Sequence, residues 1–394
     1  MNIVFLFTGL AFVFCIGWLL SSDRKHIRYK NIAVLLALQL IISFLCLNTS
    51  GGVYVLSQIS TFFSWLIAQA DGGVNFVFGG IVIKEGGFVF FFGVLMPIVF
   101  ISALVGILNY IKVLPFIIKW TGWLLNKVAN MGELESYFAI STAVLGQPEV
   151  YLTIKDQIPK LTEQRLYTIC TSAMSAVSAA MLASYMKMVP GKYVVVAVFL
   201  NILSALIISC IINPYKPEIN DKLTEIKRGN EDPFFQVLGT YILDGFKLAI
   251  TVGAMLIGFV SLVTFLNNTF IALLGTSFVT IIGYVFAPIA FLMGVPSNEI
   301  LSVGGIMATK LITNEFVAMG ILNGAAAGLS AKANAIIAVY LISFANFGTV
   351  GIVSGSIKAI SEKAGLHVAR FSMKLLIGAT LASVISATIV GIYF

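Results

Sequence analysis

Between Leu248 and Asn298 the chain carries no Asp, Glu, Lys, Arg or His. A water-facing fold cannot sustain so long an uncharged stretch, because a soluble domain keeps charge on its surface. The remaining sequence agrees. Of 394 residues 59% are hydrophobic and 10% charged, with mean hydropathy +1.00, whereas soluble domains have about 25% charged residues. The solvent for this chain is lipid. Its apolar runs are continuous and do not alternate, which excludes a membrane β-barrel and leaves an all-α integral membrane protein. At about 20 apolar residues per crossing there is room for on the order of eight to ten spans and none for a separate soluble domain.

Full-length apolar runs fall at 3–20, 31–48, 88–110, 166–188, 192–213, 236–266, 333–356 and 371–394. Eight crossings with both termini outside place the loops 23–30, 214–232 and 358–370 in the cytoplasm, and these loops hold most of the Lys and Arg. The net charge of +7 is thus spent on topology. There is no basic stripe with interleaved aromatics, so nucleic acid is not an expected partner. Cys15, Cys46, Cys170 and Cys210 lie inside apolar runs, and His26 and His367 lie in basic loops. No disulfide scaffold, metal site or cofactor is indicated. The first 20 residues lack a cationic leader and are followed by Arg24, Lys25, Arg28 and Lys30, the order of a retained helix. Segment 214–232 is the one long polar stretch and reads as a solvated linker.

Two further apolar stretches, 134–155 and 296–323, are too polar and too broken by Gly or Pro to cross as ordinary helices. They are expected to be re-entrant. Each precedes an interrupted helix: 166–188 with Ser172, Ser175, Ser178 and Ser184, and 333–356 with Asn346, Gly348, Thr349, Gly351 and Ser354. Interrupted segments in corresponding places of two halves point to a transporter with internal repeats and a site near the bilayer midplane.

Carboxylates at that depth need water or a partner, which singles out Glu149 and Glu315. In Gly146-Gln147-Pro148-Glu149 a permissive Gly and a Pro without an N–H allow a turn, beside which Gln147 and Glu149 offer donors and acceptors suited to a heterocycle edge. The plain alternative is that both merely satisfy a buried turn. Glu315 follows Lys310 by five residues, so the two can form an internal ion pair, or the carboxylate can accept hydroxyl protons from a polyol. Asn346 adds a two-way amide, although Asn in an apolar helix can equally be interhelical glue. Ser175 and Ser178 are three apart and share a helix face. They bond their own backbone in an intact helix; in an unwound one they can help hold a small cation.

At these residues the chain resembles the bacterial branch of the concentrative nucleoside transporter family. The resemblance rests on Pro97 to Leu104, the Gly-Gln-x-Glu at 146–149, Gly294-Val295-Pro296, Ala308 to Leu311 with Asn314 to Ala318, and Ser343 to Phe347. It implies a homotrimer of protomers with eight transmembrane helices, an interfacial helix near 52–69 and two re-entrant hairpins. It further implies an inverted-repeat transport domain that moves like an elevator on a scaffold. Residues 1–133 would be mainly scaffold and 134–213 the first hairpin with its following helices. After the linker 214–232, residues 233–293 would hold a long scaffold helix and connector, and 294–394 the second hairpin with the last two helices.

By the same resemblance Gln147 and Glu149 contact the nucleobase with Met181 nearby, while Glu315 and Asn346 bind the ribose, helped by Thr349 where many relatives have Ser. Sodium-driven relatives carry Asn four residues before the hairpin glycine; here that position is Thr142. The expectation is therefore proton symport of nucleosides, with sodium as the alternative ion and Thr142, Ser175 and Ser178 as the coupling residues. Pro148, where relatives have Ser or Thr, leaves base preference open. The rival readings are a passive facilitator or channel and, against the lack of any nucleophile or metal cluster, an intramembrane enzyme.

Overall fold

The computed structural model describes residues 2–81, 89–215 and 233–394, and every regular element among them is helical. Most of the predicted linker lies outside the described residues. The chain begins with three helices, α1 (Asn2–Leu19), α2 (Tyr29–Asn48) and α3 (Ser50–Phe78). A π-helical turn at Phe91–Leu95 leads into α4 (Pro97–Tyr110), and α5 (Val113–Ala129) follows. Then come a hairpin of α6 (Glu133–Thr142) and α7 (Gln147–Thr153), a broken pair α8 (Glu163–Ser175) and α9 (Ala179–Met188), and the straight α10 (Gly191–Ile212). Helices α11 (Phe234–Leu274) and α12 (Phe278–Leu292) lead to a second hairpin, α13 (Ile300–Ile312) and α14 (Glu315–Ala325). A second broken pair, α15 (Ala331–Leu341) and α16 (Phe347–Ile360), precedes α17 (Glu362–Val390).

The order hairpin, broken helix, straight helix thus occurs twice, and the two copies run in opposite directions. At one end the ring of Tyr193, opening α10, meets that of Phe394 just beyond α17. At the other, Lys374 of α17 donates to Asn213, which caps α10. Helix α10 beyond Lys192 and the part of α17 from Leu375 onward are apolar around their whole circumference, and such helices bury all faces. Here α10 and α17 pack on each other and each also packs on α8 and α15, forming the core of the molecule.

Among the described residues seven helical spans are long and apolar enough to cross a membrane, and α8 with α9, bent by 40° at its break, makes an eighth when the pair is taken as one span. Counted by length and apolar character alone, the total equals the expected eight, with α3 in the count where 333–356 was expected. The predicted interfacial helix near 52–69 is the 29-residue α3, which qualifies as a span, whereas the run 333–356 is the two short helices α15 and α16. The predicted 236–266 helix is also longer: α11 has 41 residues, about 60 Å at 1.5 Å per residue and twice the hydrocarbon thickness, so it is steeply tilted or projects from the bilayer.

Two helices have no counterpart in the expected elements. In α5, Lys119 and Lys127 break up the hydropathy. The helix buries Ile118, Gly122 and Leu125 and exposes Phe116, Trp120, Trp123 and Leu124, the distribution of a helix lying at the membrane interface. The apolar α12 packs lengthwise on α13 at a small-residue crossing. A Cβ on Gly304 would lie 2.6 Å from the Gly283 carbonyl oxygen, so this approach requires glycine.

Candidate substrate and ion site

The two hairpins present their polar residues through the same local device, a non-helical turn followed by an acid in the first turn of the second arm. In α7 Gly146 is the N-cap, and its N–H donates to Glu149 Oε2 at 3.4 Å, because an N-terminal helix turn leaves free N–H groups that a carboxylate at N3 can reach. In α14 Asn314 caps the helix by accepting from Val317 N at 3.1 Å, which sets Glu315 at the first helical position.

Glu315 is 3% exposed and satisfied from both sides. Tyr185 donates its hydroxyl to Oε1 at 2.7 Å, and Asn346 donates Nδ2 to Oε2 at 3.1 Å. Asn346 is itself oriented by its role as N-cap of α16: its Oδ1 accepts from the backbone N–H of Thr349 at 2.9 Å and from the Thr349 hydroxyl at 3.1 Å. Three predicted residues, Glu315, Asn346 and Thr349, therefore form one network. The Lys310–Glu315 ion pair, one of the two readings of the sequence, does not form as a contact. The fully buried ammonium instead donates to Tyr340 O at 2.5 Å, Ser343 Oγ at 2.6 Å and Ser383 Oγ at 3.4 Å.

The first hairpin is arranged differently. Gln147 turns away from Glu149 and donates Nε2 to the carbonyl of Ala173 at 2.7 Å, just before α8 breaks. Glu149 faces a cavity of about 40 Å³ between the hairpin, the start of α9 and the helices α4 and α11. Ser178 and Ala180 line it from α9, Ser102 from α4, and Tyr241 and Asp244 from α11. Helices α4 and α11 approach closely there: a Cβ on Gly245 would lie 2.7 Å from Ser102 Cβ and Oγ. Met181 is buried near the start of α9 and is not among the residues lining this cavity.

Of the coupling candidates, Thr142 is buried with its hydroxyl donating to Ala139 O at 2.8 Å. The Ser175 hydroxyl is buried with no hydrogen-bond partner, as is that of Ser172 one turn earlier. Ser178 is the N-cap of α9 without a side-chain capping bond. Unpaired buried hydroxyls carry a penalty of about 1–3 kcal/mol, so a pair of them at a helix break marks a place where an ion or water has something to satisfy.

Helix α9 links the two clusters. Ser178 at its start faces the Glu149 cavity, and Tyr185, seven residues on and roughly 10 Å along the axis, holds Glu315. Tyr185 was not among the expected site residues, although it lies four residues after Met181 and so on the same helix face. Asp244 was missed as well; it is the only carboxylate in α11, which is its one sequence signal.

Residues 193–391 and 8–81 match the C-terminal and N-terminal models of Na+ dependent nucleoside transporters, and residues 91–192 match the gate model described as nucleoside recognition. The chain is 36% identical to the purine nucleoside transport protein NupG of Bacillus subtilis, over 98% of both chains. It is 28% identical to the nucleoside permease NupC of Helicobacter pylori, over 99% of this chain and 97% of that one. Its fold matches CNTnw in an inward-facing substrate-bound state with TM-score 0.94 at 30% identity, covering 100% of this chain and 99% of that one. For a CNTnw variant in an outward-facing state the TM-score is 0.92, at 30% identity and covering 100% and 98%. These relatives are transporters and permeases rather than enzymes, and with matches running almost end to end the chain belongs to the concentrative nucleoside transporter family.

Proposed function

We propose that this protein is a cation-coupled importer of nucleosides in the cytoplasmic membrane, working by alternating access. The observation that carries the reading is the pair of polar clusters held about two turns apart by α9, one suited to a flat heterocycle and the other to ribose hydroxyls. Glu149 would receive the nucleobase, joined on binding by Gln147, whose amide now holds Ala173 O, and by Met181 of α9, which lies outside the cavity; Glu315, Asn346 and Thr349 would receive the ribose. The purine specificity named for the relative at 36% identity makes purine nucleosides the first substrates to test.

Binding favours movement only through a difference in interaction free energy between the two states. The cavity at Glu149 supplies such a difference, since it joins the first hairpin to α4 and α11. In this reading α4 and α11 belong to a fixed scaffold in a homotrimer, and the hairpins move past them like an elevator. The cation excess near Arg24, Arg28 and Arg370 supports a cytoplasmic position for that end, with both termini outside.

A proton is the favoured coupling ion. Thr142 offers one hydroxyl, turned onto its own helix, where sodium-driven relatives have an amide oxygen. The unpaired hydroxyls of Ser172 and Ser175, together with Ser178 and the sodium dependence named in the matching family models, support sodium as the second reading. Counterflow in sealed proteoliposomes with a nucleoside panel, under imposed proton or sodium gradients, tests substrate and ion together. Uphill uptake that follows one gradient and collapses with the matching ionophore is expected. Uptake that never exceeds equilibrium would leave a passive facilitator instead.

A further inference from the structure

The two hairpins share a register that extends beyond their acids. Thr142 lies four residues before Gly146, the N-cap of α7, and Lys310 lies four residues before Asn314, the N-cap of α14. Lys310 reaches the broken helix that follows it, whereas Thr142, the last residue of α6, turns its hydroxyl onto Ala139 O and leaves the corresponding place without a charged side chain. In the first half the break runs through 176–178, and the hydroxyl of Ser175 beside it is unpaired. In the second the break runs through 342–346, and the hydroxyl of Ser343 inside it accepts from Lys310.

The surroundings of Lys310 are those of a bound cation. Its ammonium has a freed carbonyl, Tyr340 O, and two hydroxyls, Ser343 and Ser383, and it lies 4.4 Å from the centroid of the Tyr340 ring. The two serines are joined at 2.8 Å, and all of these groups are at most 1% exposed. Oxygens from an unwound helix are what a membrane transporter uses to hold a small ion. The neighbouring freed carbonyl, Ile342 O, is capped by the amide of Asn201. Lys310 also lies near enough to Glu315 for their charges to interact, although the two are not in contact.

We infer that Lys310 is a resident cation. Its ammonium permanently fills, in the second half, the position that a coupling ion visits in the first, so that Glu315 is held ready for ribose without a second ion. It acts as a positioning residue, closing the break after α15 and setting the field in which Glu315 and Asn346 work. The inference rests on the reading of the protein as an ion-coupled nucleoside importer. It implies that only one positive charge accompanies each nucleoside.

Two measurements decide it. Net charge per nucleoside, read from the reversal potential of wild-type proteoliposomes, should be one; two would overturn the inference while leaving symport intact, and zero would overturn symport instead. The second measurement is nucleoside binding by the full-length variants in detergent, which does not depend on coupling. Lys310→Ala removes the cation but leaves space, so affinity should fall on the order of a hundredfold and recover with millimolar methylammonium or sodium. Lys310→Met fills the space without charge and should not recover. Binding by Lys310→Met equal to wild type, or a folded, monodisperse Lys310→Ala that neither cation restores, would show that the charge at this place is not what the site requires.

Discussion

Removing the charge of Glu315 while keeping its shape is the sharpest test of the proposed ribose cluster. In Glu315→Gln the side chain still reaches Tyr185 and Asn346, which now hold it at 2.7 and 3.1 Å. A neutral amide, however, accepts more weakly than a carboxylate, and its NH2 group points a donor at one of two groups that are themselves donors. Hydrogen bonds to a charged acceptor contribute about 1.5–3 kcal/mol, so a nucleoside that replaces these donors with its own hydroxyls should lose roughly 10- to 150-fold in affinity. A free nucleobase makes no such bonds and should lose little. Titration calorimetry of the purified variant with a nucleoside and with its base gives both values. Tyr185→Phe serves as the control, because it removes one competing donor and leaves the carboxylate charged. Equal losses for nucleoside and base in Glu315→Gln would refute the assignment of ribose to this carboxylate.

Glu149→Gln should reorder the ranking of bases in counterflow, since it replaces an acceptor pair with one acceptor and one donor; an unchanged ranking would remove Glu149 from base recognition. Ser175→Ala separates two accounts of its unpaired hydroxyl: if nothing visits it, thermal unfolding should show about 1 kcal/mol of stabilisation with transport intact, and if an ion or water does, ion-driven uptake should fall. Thr142→Asn supplies an amide oxygen and should confer or strengthen stimulation by sodium, read from uptake against external sodium; no sodium response would place the ion elsewhere. Gly245→Ala pushes a Cβ to within 2.7 Å of Ser102 and should destabilise by about 1–3 kcal/mol in a thermal shift assay while weakening nucleoside binding at the adjoining cavity; unaltered binding would separate that cavity from the site.

What the sequence made legible followed from lipid being the solvent. Helices α1, α2, α10 and α17 were plain because an apolar run of their length has few other uses. The hairpins were plain for the opposite reason, since Gly146, Pro148 and Asn314 interrupt runs otherwise fit to cross. Helix α5 was lost because Lys119 and Lys127 recur within an apolar pattern, and hydropathy averaged along the chain cannot distinguish an interfacial helix from a connector. Partnerships were the least legible. Spacing of five residues suggested that Lys310 pairs with Glu315, but the oxygens that hold its ammonium come from residues 30 to 73 positions away. Tyr185 and Asp244 likewise acquire their roles only through contacts made across the fold.

The inverted repeat explains how one architecture can hold two such different polar clusters. Both halves break a helix beside a hairpin tip, and each break frees backbone oxygens that must be satisfied at membrane depth. The second half satisfies them with fixed groups, Lys310 and Asn201, and sets Glu315 in a closed network with Tyr185, Asn346 and Thr349. The first half satisfies one carbonyl with the Gln147 amide and leaves the hydroxyls of Ser172 and Ser175 unpaired, with Glu149 facing a cavity shared with α4 and α11. A fully satisfied network resists change, whereas an incompletely satisfied one changes energy when an ion, a water or a substrate enters. The proposed division of labour follows from that difference: the second half would fix the ribose, and the first half, where hydroxyls are still unpaired, would be where ion and nucleobase alter the balance between the two states.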